Sequence, residues 1–262
     1  MKMKITKKIF AVVFIILCFL SQADAANVNK KNFYRSLASR LSKERNNYTY
    51  LTDNEFANFR AVSSIRVKAG RLYRSSSPVK PWGNRDIIAD MAAREAGVKT
   101  FINLADDYKN LNGYKNFSAS YYATQKIICV NLNLKFMSKN FQTGVARAVS
   151  FMANNSAPYL VHCDLGKDRC GIFCAIIESL MGASSDEIVK DYMISFYNYF
   201  GIRPGTSDYE FVADNEIKSF LASIFEIKTI ENANLSAAAT RYLLKIGVSR
   251  EDIENLKNKL GN

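Results

Sequence analysis

Apolar and polar positions follow two rhythms along this chain. Short, densely apolar runs recur in its middle: Val98-Lys-Thr-Phe-Ile-Asn-Leu104, Lys126-Ile-Ile-Cys-Val-Asn-Leu-Asn-Leu134 and Pro158-Tyr-Leu-Val-His162. Their length and residue types predict strands. The shorter run Arg71-Leu-Tyr-Arg74 predicts another, followed by a loop over Ser75–Pro81. Between the strands the spacing turns helical. One helix is expected from Asn84, as its N-cap, to about Ala96, where Gly97 ends it; a second spans Phe141–Asn154. Strand and helix therefore alternate, which predicts an α/β fold with a mostly parallel central sheet covered by helices on both faces. An apolar helix runs from Gly171 to Met181 and stops at Gly182, and Ser184-x-x-Glu187 opens the next as a capping box. That helix reaches about Phe200 and carries Tyr192, Phe196, Tyr197, Tyr199 and Phe200, an aromatic stripe suited to core packing. Three further helices, Tyr209–Phe225, Ser236–Ile246 and Arg250–Lys259, are expected to form a C-terminal helical subdomain beside the loop that precedes Gly171.

The N-terminal end has a different character. Lys2, Lys4, Lys7 and Lys8 precede an apolar run of 12 residues, Ile9 to Leu20, and Ala23-Asp24-Ala25 follows. The run is too short to span a bilayer comfortably, and the pattern is that of a signal peptide cut after Ala25. The protein is thus expected to be exported, to the periplasm or beyond, with no stable membrane span afterwards. Residues 1–25 are assigned to the leader, 26–52 to a loosely ordered segment with a helical piece near Phe33–Leu41, and 53–262 to one domain. Cleavage leaves 237 residues; loss of four Lys and one Asp takes the formal charge from +12 to +9. A basic exported protein attracts anionic partners. Nucleic acid is not expected, because no interleaved aromatic and basic pattern is present.

The chemistry concentrates in Val161-His-Cys-Asp-Leu-Gly-Lys-Asp-Arg-Cys-Gly171. A strand, a tight loop and a helix N-terminus form an anion cradle, because peptide N–H groups converge and the helix dipole adds positive charge. Cys163 belongs at its floor and Arg169 at its rim. Asp164, Leu165, Gly166, Lys167 and Asp168 form the wall that would hold a phosphate with Arg169. A thiolate attacks phosphorus, and a guanidinium grips two phosphate oxygens at once. The Cys163 thiol is expected to titrate well below its free value of about 8.5. The implied reaction is in-line displacement on a phosphomonoester, a phosphocysteine intermediate, and hydrolysis.

The segment His162-Cys163-x-x-Gly166-Lys167-Asp168-Arg169-x-Gly171 resembles the signature of bacterial tyrosine and dual-specificity phosphatases of the GKDR type, within the cysteine-dependent protein-tyrosine phosphatase superfamily. Asn58-Phe59-Arg60, Gly70 to Pro78, Val98 to Ala105 and Tyr242 to Leu256 resemble other parts of that family, so the likeness covers about residues 55–260. It implies a tyrosine-phosphatase-like fold and phosphotyrosine substrates, with or without phosphoserine and phosphothreonine. Lys167 resembles the loop lysine by which lipid-type phosphatases hold extra phosphates. With the net positive charge, it keeps phosphoinositides and inositol polyphosphates as a second option. A silent phosphate-binding module is the third. Many members place a hydroxyl after the loop arginine, where this chain has Cys170.

Many cysteine phosphatases take their general acid from a loop some thirty or more residues before the cysteine. Here no Asp or Glu lies between Tyr108 and Cys163. Asp168, inside the cradle, is the first candidate, and Asp106 or Asp107, after the Val98–Leu104 strand, the second. His162, the sole histidine, is assigned to loop support, and Arg74 to a buried ion pair. No Cys/His cluster suggests a metal, and no cofactor is implied. Cys129, Cys163, Cys170 and Cys174 do not form a disulfide framework. Cys170 reads as a small buried stand-in for the hydroxyl, with a reversible disulfide to Cys163 as the alternative.

Overall fold

A computed structural model of the chain describes residues 29–62 and 66–261. The expected leader, residues 1–25, lies outside them. The chain divides after Ser42 into two compact units. In the first, residues 29–40 form helix α1, which begins earlier than the expected helical piece. In the second, a turn of 3-10 helix over Arg45–Tyr48 and helix α2 (Asp53–Phe56) bring Tyr48, Leu51 and Phe56 into one buried cluster. Chain expected to be loose up to Thr52 is therefore packed from Arg45 onward. Thr52 and Glu55 close a capping box on α2.

Among the described residues, five strands make one sheet: β1 (Arg60–Ala61), β2 (Leu72–Ser75), β3 (Thr100–Asn103), β4 (Lys126–Cys129) and β5 (Tyr159–His162). Their order is β1-β2-β5-β3-β4. All neighbours run parallel except β1, which pairs antiparallel with β2. β5 is central, and every residue of β3 and β5 is buried, as strands covered on both faces must be. The strand expected to reach Leu134 ends at Cys129. Asn131 adopts a left-handed conformation (φ 47°) that turns the chain, although Val130 and Leu132 still donate to the Asn103 and Leu104 carbonyls at 3.0 and 2.8 Å.

The helices follow as α3 (Arg85–Glu95), α4 (Tyr108–Asn112), α5 (Lys139–Asn154), α6 (Asp168–Met181), α7 (Ser185–Phe200), α8 (Ser207–Ala213), α9 (Ser219–Phe225), α10 (Leu235–Lys245) and α11 (Arg250–Gly261). Asn84 precedes α3 but does not cap it: its φ is 63°, whereas a side-chain cap needs extended backbone. The Ser184–Glu187 capping box on α7 forms as expected. α5 starts at Lys139 because Ser138 accepts from the Phe141 N–H at 3.3 Å, and it buries Phe141, Val145, Ala148, Val149 and Met152 along one stripe. α6 starts at Asp168 rather than Gly171 and is buried on every side from Cys170 to Met181. The single helix expected over Tyr209–Phe225 is α8 and α9 joined by a π-turn at Asp214–Lys218. α10 packs on α6 and α11 on α5, so these two helices back the sheet's covering layer and do not flank the loop. Among the described residues, no helix is long and apolar enough to cross a membrane.

Candidate active site

Cys163 follows β5 directly, so the central strand delivers it to the C-terminal edge of the sheet, where open α/β folds bind ligands. Residues 164–167 form the loop and α6 begins at once, its N-terminus aimed at the loop.

The carbonyl of every loop residue has a donor outside the loop. Ser77 N–H donates to the Asp164 carbonyl at 3.1 Å. The Leu165 carbonyl accepts from Asn58 Nδ2 at 3.0 Å and from the Tyr199 hydroxyl at 2.7 Å. One Arg74 nitrogen donates to the Gly166 and Lys167 carbonyls at 2.8 and 3.2 Å. A trans peptide sets its N–H opposite its carbonyl. With four carbonyls drawn outward, the N–H groups of Leu165, Gly166, Lys167 and Asp168 are turned inward, forming an anion nest. Gly166 has a φ of 67°, and a Cβ there would lie 2.2 Å from the Ser75 carbonyl oxygen, so the position requires glycine.

The donors are themselves locked. Arg74 is fully buried and pairs with Asp191 of α7, which makes it the buried ion-pair partner expected from sequence. Arg60 Nε reaches the other Asp191 oxygen at 3.0 Å. Burial pulls the Asp191 carboxyl upward, but the two guanidinium groups outweigh it and hold it below the usual carboxylate range. Asn58 also donates to Ser195 at 3.1 Å and accepts from Asn198 at 3.1 Å. Asp191, Ser195, Asn198 and Tyr199 all lie on α7, and sequence reasoning gave none of them a site role except through the aromatic stripe. Their signal is polar side chains at buried positions of a helix, and burial is not written in the sequence. His162 is buried, with Nε2 3.0 Å from the Tyr122 hydroxyl; burial lowers its pKa to about 3, so the ring is neutral support beneath the loop.

The outer side of the loop is held by charges. Asp164 joins Lys80 on one oxygen and Arg169 on the other, and Arg169 also donates to the Leu132 carbonyl at 3.2 Å. Burial works against ionisation of Asp164, yet Lys80 and Arg169 bring its pKa below the ordinary value. Lys167 pairs with Asp168, and its Nζ lies 4.4 Å from the Phe196 ring centroid, tucked against α7.

Cys163 is 3 % exposed. Burial pushes its thiol above the ordinary value and the adjacent Cys170 adds to the rise, against smaller opposing effects of Arg169 and the Cys170 N–H. The low thiol pKa expected from sequence is therefore not found where the sulfur is buried and Arg169 is engaged by Asp164. Cys170 Sγ contacts the Val161 carbonyl at 3.2 Å, and all four described cysteines are free and buried.

The candidate acids separate clearly. Asp107 caps α4 by accepting from the Asn110 N–H at 2.7 Å. Asp106 is 5 % exposed, with one oxygen accepting from Asn103 at 3.1 Å and the other from the Tyr114 hydroxyl at 3.0 Å. It lines an open cleft of about 480 Å³ with Lys80, Lys109 and Asp164. Asp168 sits in the first turn of α6 with 38 % of its side chain exposed. Among the described residues, no group of three or more His, Cys, Asp or Glu is placed to hold a metal ion.

A family model described as the tyrosine phosphatase family matches residues 53–262. Two similar solved structures are the core catalytic domain of the PP-IP phosphatase SIW14 from S. cerevisiae in complex with citrate and a Siw14 catalytic core. The first is 23 % identical and covers 63 % of this chain and 91 % of its own, with a TM-score of 0.38. The second is 19 % identical, with coverages of 59 % and 92 % and a TM-score of 0.34. No curated protein matches the chain. Because the family model spans most of the chain, and a cysteine and an arginine bracket the loop it contains, this protein belongs to the tyrosine phosphatase family and is a cysteine-dependent phosphatase.

Proposed function

We propose that the protein hydrolyses phosphomonoesters of tyrosine in phosphoproteins, with Cys163 as nucleophile, Arg169 as phosphate ligand and Asp168 as general acid. The observation that carries this is the outward capture of four successive loop carbonyls, which leaves a ring of inward N–H groups around the sulfur. A phosphate dianion entering the nest competes with Asp164 for Arg169. Once Arg169 turns to the phosphate, its charge favours the thiolate, and the Cys163 thiol gives its proton to solvent before attack. The Cys163 sulfur then forms an S–P bond as the P–O bond to the leaving oxygen breaks, and that oxygen takes a proton from Asp168. Water next attacks phosphorus from the vacated side, gives a proton back to Asp168, and releases Cys163 and inorganic phosphate. Asp168 is preferred because it is more open than Asp106 and caps nothing. Export to the periplasm or beyond, from the leader-like N-terminus, is part of the same reading.

The second reading, an inositol polyphosphate or phosphoinositide, is favoured by the cations Lys80 and Lys167 flanking Arg169. Kinetics on a phosphotyrosyl peptide and on a polyphosphorylated inositol decide between them. A Lys167→Ala variant that loses kcat/KM equally on both substrates supports the peptide reading; a larger loss on the inositol supports the second. A wild-type protein as inactive as Cys163→Ser on p-nitrophenyl phosphate would reject both and leave a phosphate-binding module.

A further inference from the structure

The catalytic loop occupies one edge of the sheet, and the opposite edge carries a feature that phosphate chemistry at Cys163 does not use. The parallel strands begin there, and Arg71, Lys99 and Lys126 stand at the entries to β2, β3 and β4. α11 adds Lys257 and Lys259, and the chain before Arg71 adds Lys68. Three open clefts of about 600, 500 and 630 Å³ run along this edge. The first two share Lys99 and Ser156 in their walls, and the second and third share Asn258, so they form one continuous surface. Among the described residues, Glu254 is the one carboxylate on those walls, and it is engaged by Lys257 at 3.3 Å. Among the described residues, Lys68, Arg71, Lys99 and Lys126 have no carboxylate within ion-pair distance.

We propose that this edge is a docking surface for the anionic headgroups of a lipid bilayer. The layout of the charges selects that partner. Neighbouring strands lie about 4.8 Å apart, so the span from β2 across β5 and β3 to β4 spreads Arg71, Lys99 and Lys126 over roughly 15 Å. Lys68 lies off that line, and α11 adds Lys259, whose ammonium is held against the surface by the Ala153 and Asn155 carbonyls at 2.6 and 2.8 Å. The cations thus form a two-dimensional field, which fits a plane of headgroups. A single-stranded nucleic acid would want a track with aromatic faces for its bases, and among the described residues no aromatic side chain lines any of the three clefts. Ser156 and Asn258 offer hydrogen bonds to phosphate oxygens between the charges. Among the described residues, no large apolar side chain other than Met181 lines them, so attraction is electrostatic and is weakened by salt. Docked this way, the bilayer lies on the far side of the sheet from Cys163. The four residues of β5 alone separate the two edges by roughly 13 Å, and the loop faces the aqueous phase. The enzyme then works on phosphoesters presented from solution rather than on the lipids that hold it.

The test is cosedimentation of the full chain with phosphatidylcholine vesicles, with and without phosphatidylglycerol. The quadruple variant Lys68→Glu, Arg71→Glu, Lys99→Glu, Lys126→Glu is compared with a control carrying four reversals elsewhere, Lys43→Glu, Lys190→Glu, Lys228→Glu and Arg241→Glu. The N-terminal segment is common to all three proteins and cancels. The expected result is phosphatidylglycerol-dependent binding that raised salt reduces. The edge variant should lose about tenfold or more and the control only about twofold, with p-nitrophenyl phosphate turnover unchanged in both. Equal losses in both variants, or equal binding to the two vesicle types, would overturn the proposal. Displacement of the protein by soluble glycerophosphate at matched phosphate concentration would overturn it too, in favour of a site for free phosphate. Should the reversed edge unfold by circular dichroism, the corresponding four alanine changes must show the same ranking.

Discussion

The two sides of the phosphate loop are built on opposite principles. On its inner side, Asn58, Arg60, Arg74, Asp191, Ser195 and Tyr199 form a buried network in which the loop carbonyls are satisfied by neutral or paired donors. On its outer side, Lys80, Asp164, Lys167, Asp168 and Arg169 hold one another through charge at the edge of solvent. Substrate cannot replace the inner contacts, because they are backbone acceptors in a closed interior. It can replace the outer ones, because a phosphate dianion offers Arg169 what Asp164 offers it. The inner side therefore sets shape, and the outer side sets occupancy.

Removing the nucleophile should have the largest effect and should leave the shape intact. We predict that Cys163→Ser loses about 10⁴-fold or more in kcat, measured with p-nitrophenyl phosphate, while vanadate affinity stays within a few-fold of wild type. Loss of vanadate binding in step with turnover would mean that the sulfur is part of the scaffold.

Breaking the inner side should appear as stability. Asp191→Ala strands Arg60 and Arg74 in the interior and should cost about 3–5 kcal/mol in denaturant unfolding. For Asp191→Asn the pH dependence gives the sign. The native carboxyl titrates below its unfolded value, so its contribution is present above the unfolded pKa and disappears as pH falls through the depressed native one. The stability gap between wild type and Asp191→Asn should thus close on acidification; a gap that widens contradicts the network.

Two tests sharpen the outer side. Asp168→Asn should cost roughly 10²-fold on a tyrosyl phosphate and much less on p-nitrophenyl phosphate, whose leaving group needs little help from an acid. Equal slowing on both would make Asp168 a shaping residue and move the comparison to Asp106→Asn. Asp164→Asn should have the smallest effect. With Arg169 released, the apparent KM for phosphate esters should fall a few-fold and alkylation of Cys163 by iodoacetamide should shift to lower pH. In wild type that alkylation should have its midpoint above the ordinary thiol range, the direction set by burial. A midpoint far below it would show that the loop N–H groups outweigh burial.

The sequence made the outer side legible and the inner side nearly opaque. Cys163, Gly166 and Arg169 are adjacent in the chain, and a strand before them and a helix after them are visible in apolar spacing. The sheet could be inferred because β3 and β5 are apolar throughout. The inner network joins residues more than a hundred positions apart, such as Asn58 with Leu165 and Arg74 with Asp191. An aspartate in the middle of α7 looks like a solvated charge until the fold buries it between two arginines. The thiol expectation failed for a related reason. It counted the positive groups that favour a thiolate, but the depth of burial and the engagement of Arg169 by Asp164 exist only in three dimensions. The π-turn between α8 and α9 was not anticipated, because it widens one turn of an otherwise continuous helical run.

The carbonyl contacts of the loop carry a consequence for anyone wishing to transplant this activity. The segment from His162 to Gly171 reads like a portable cassette, yet its curvature is imposed from outside by β2, by α7 and by the chain around Asn58 and Ser77. Grafted alone between a strand and a helix of another scaffold, it would carry the nucleophile without the mould. A successful graft has to import at least Asn58, Arg74, Asp191 and Tyr199 in register, with Arg74 opposite Val161 on the neighbouring strand. The smallest transferable unit of this catalyst is an interlocked set of four chain segments.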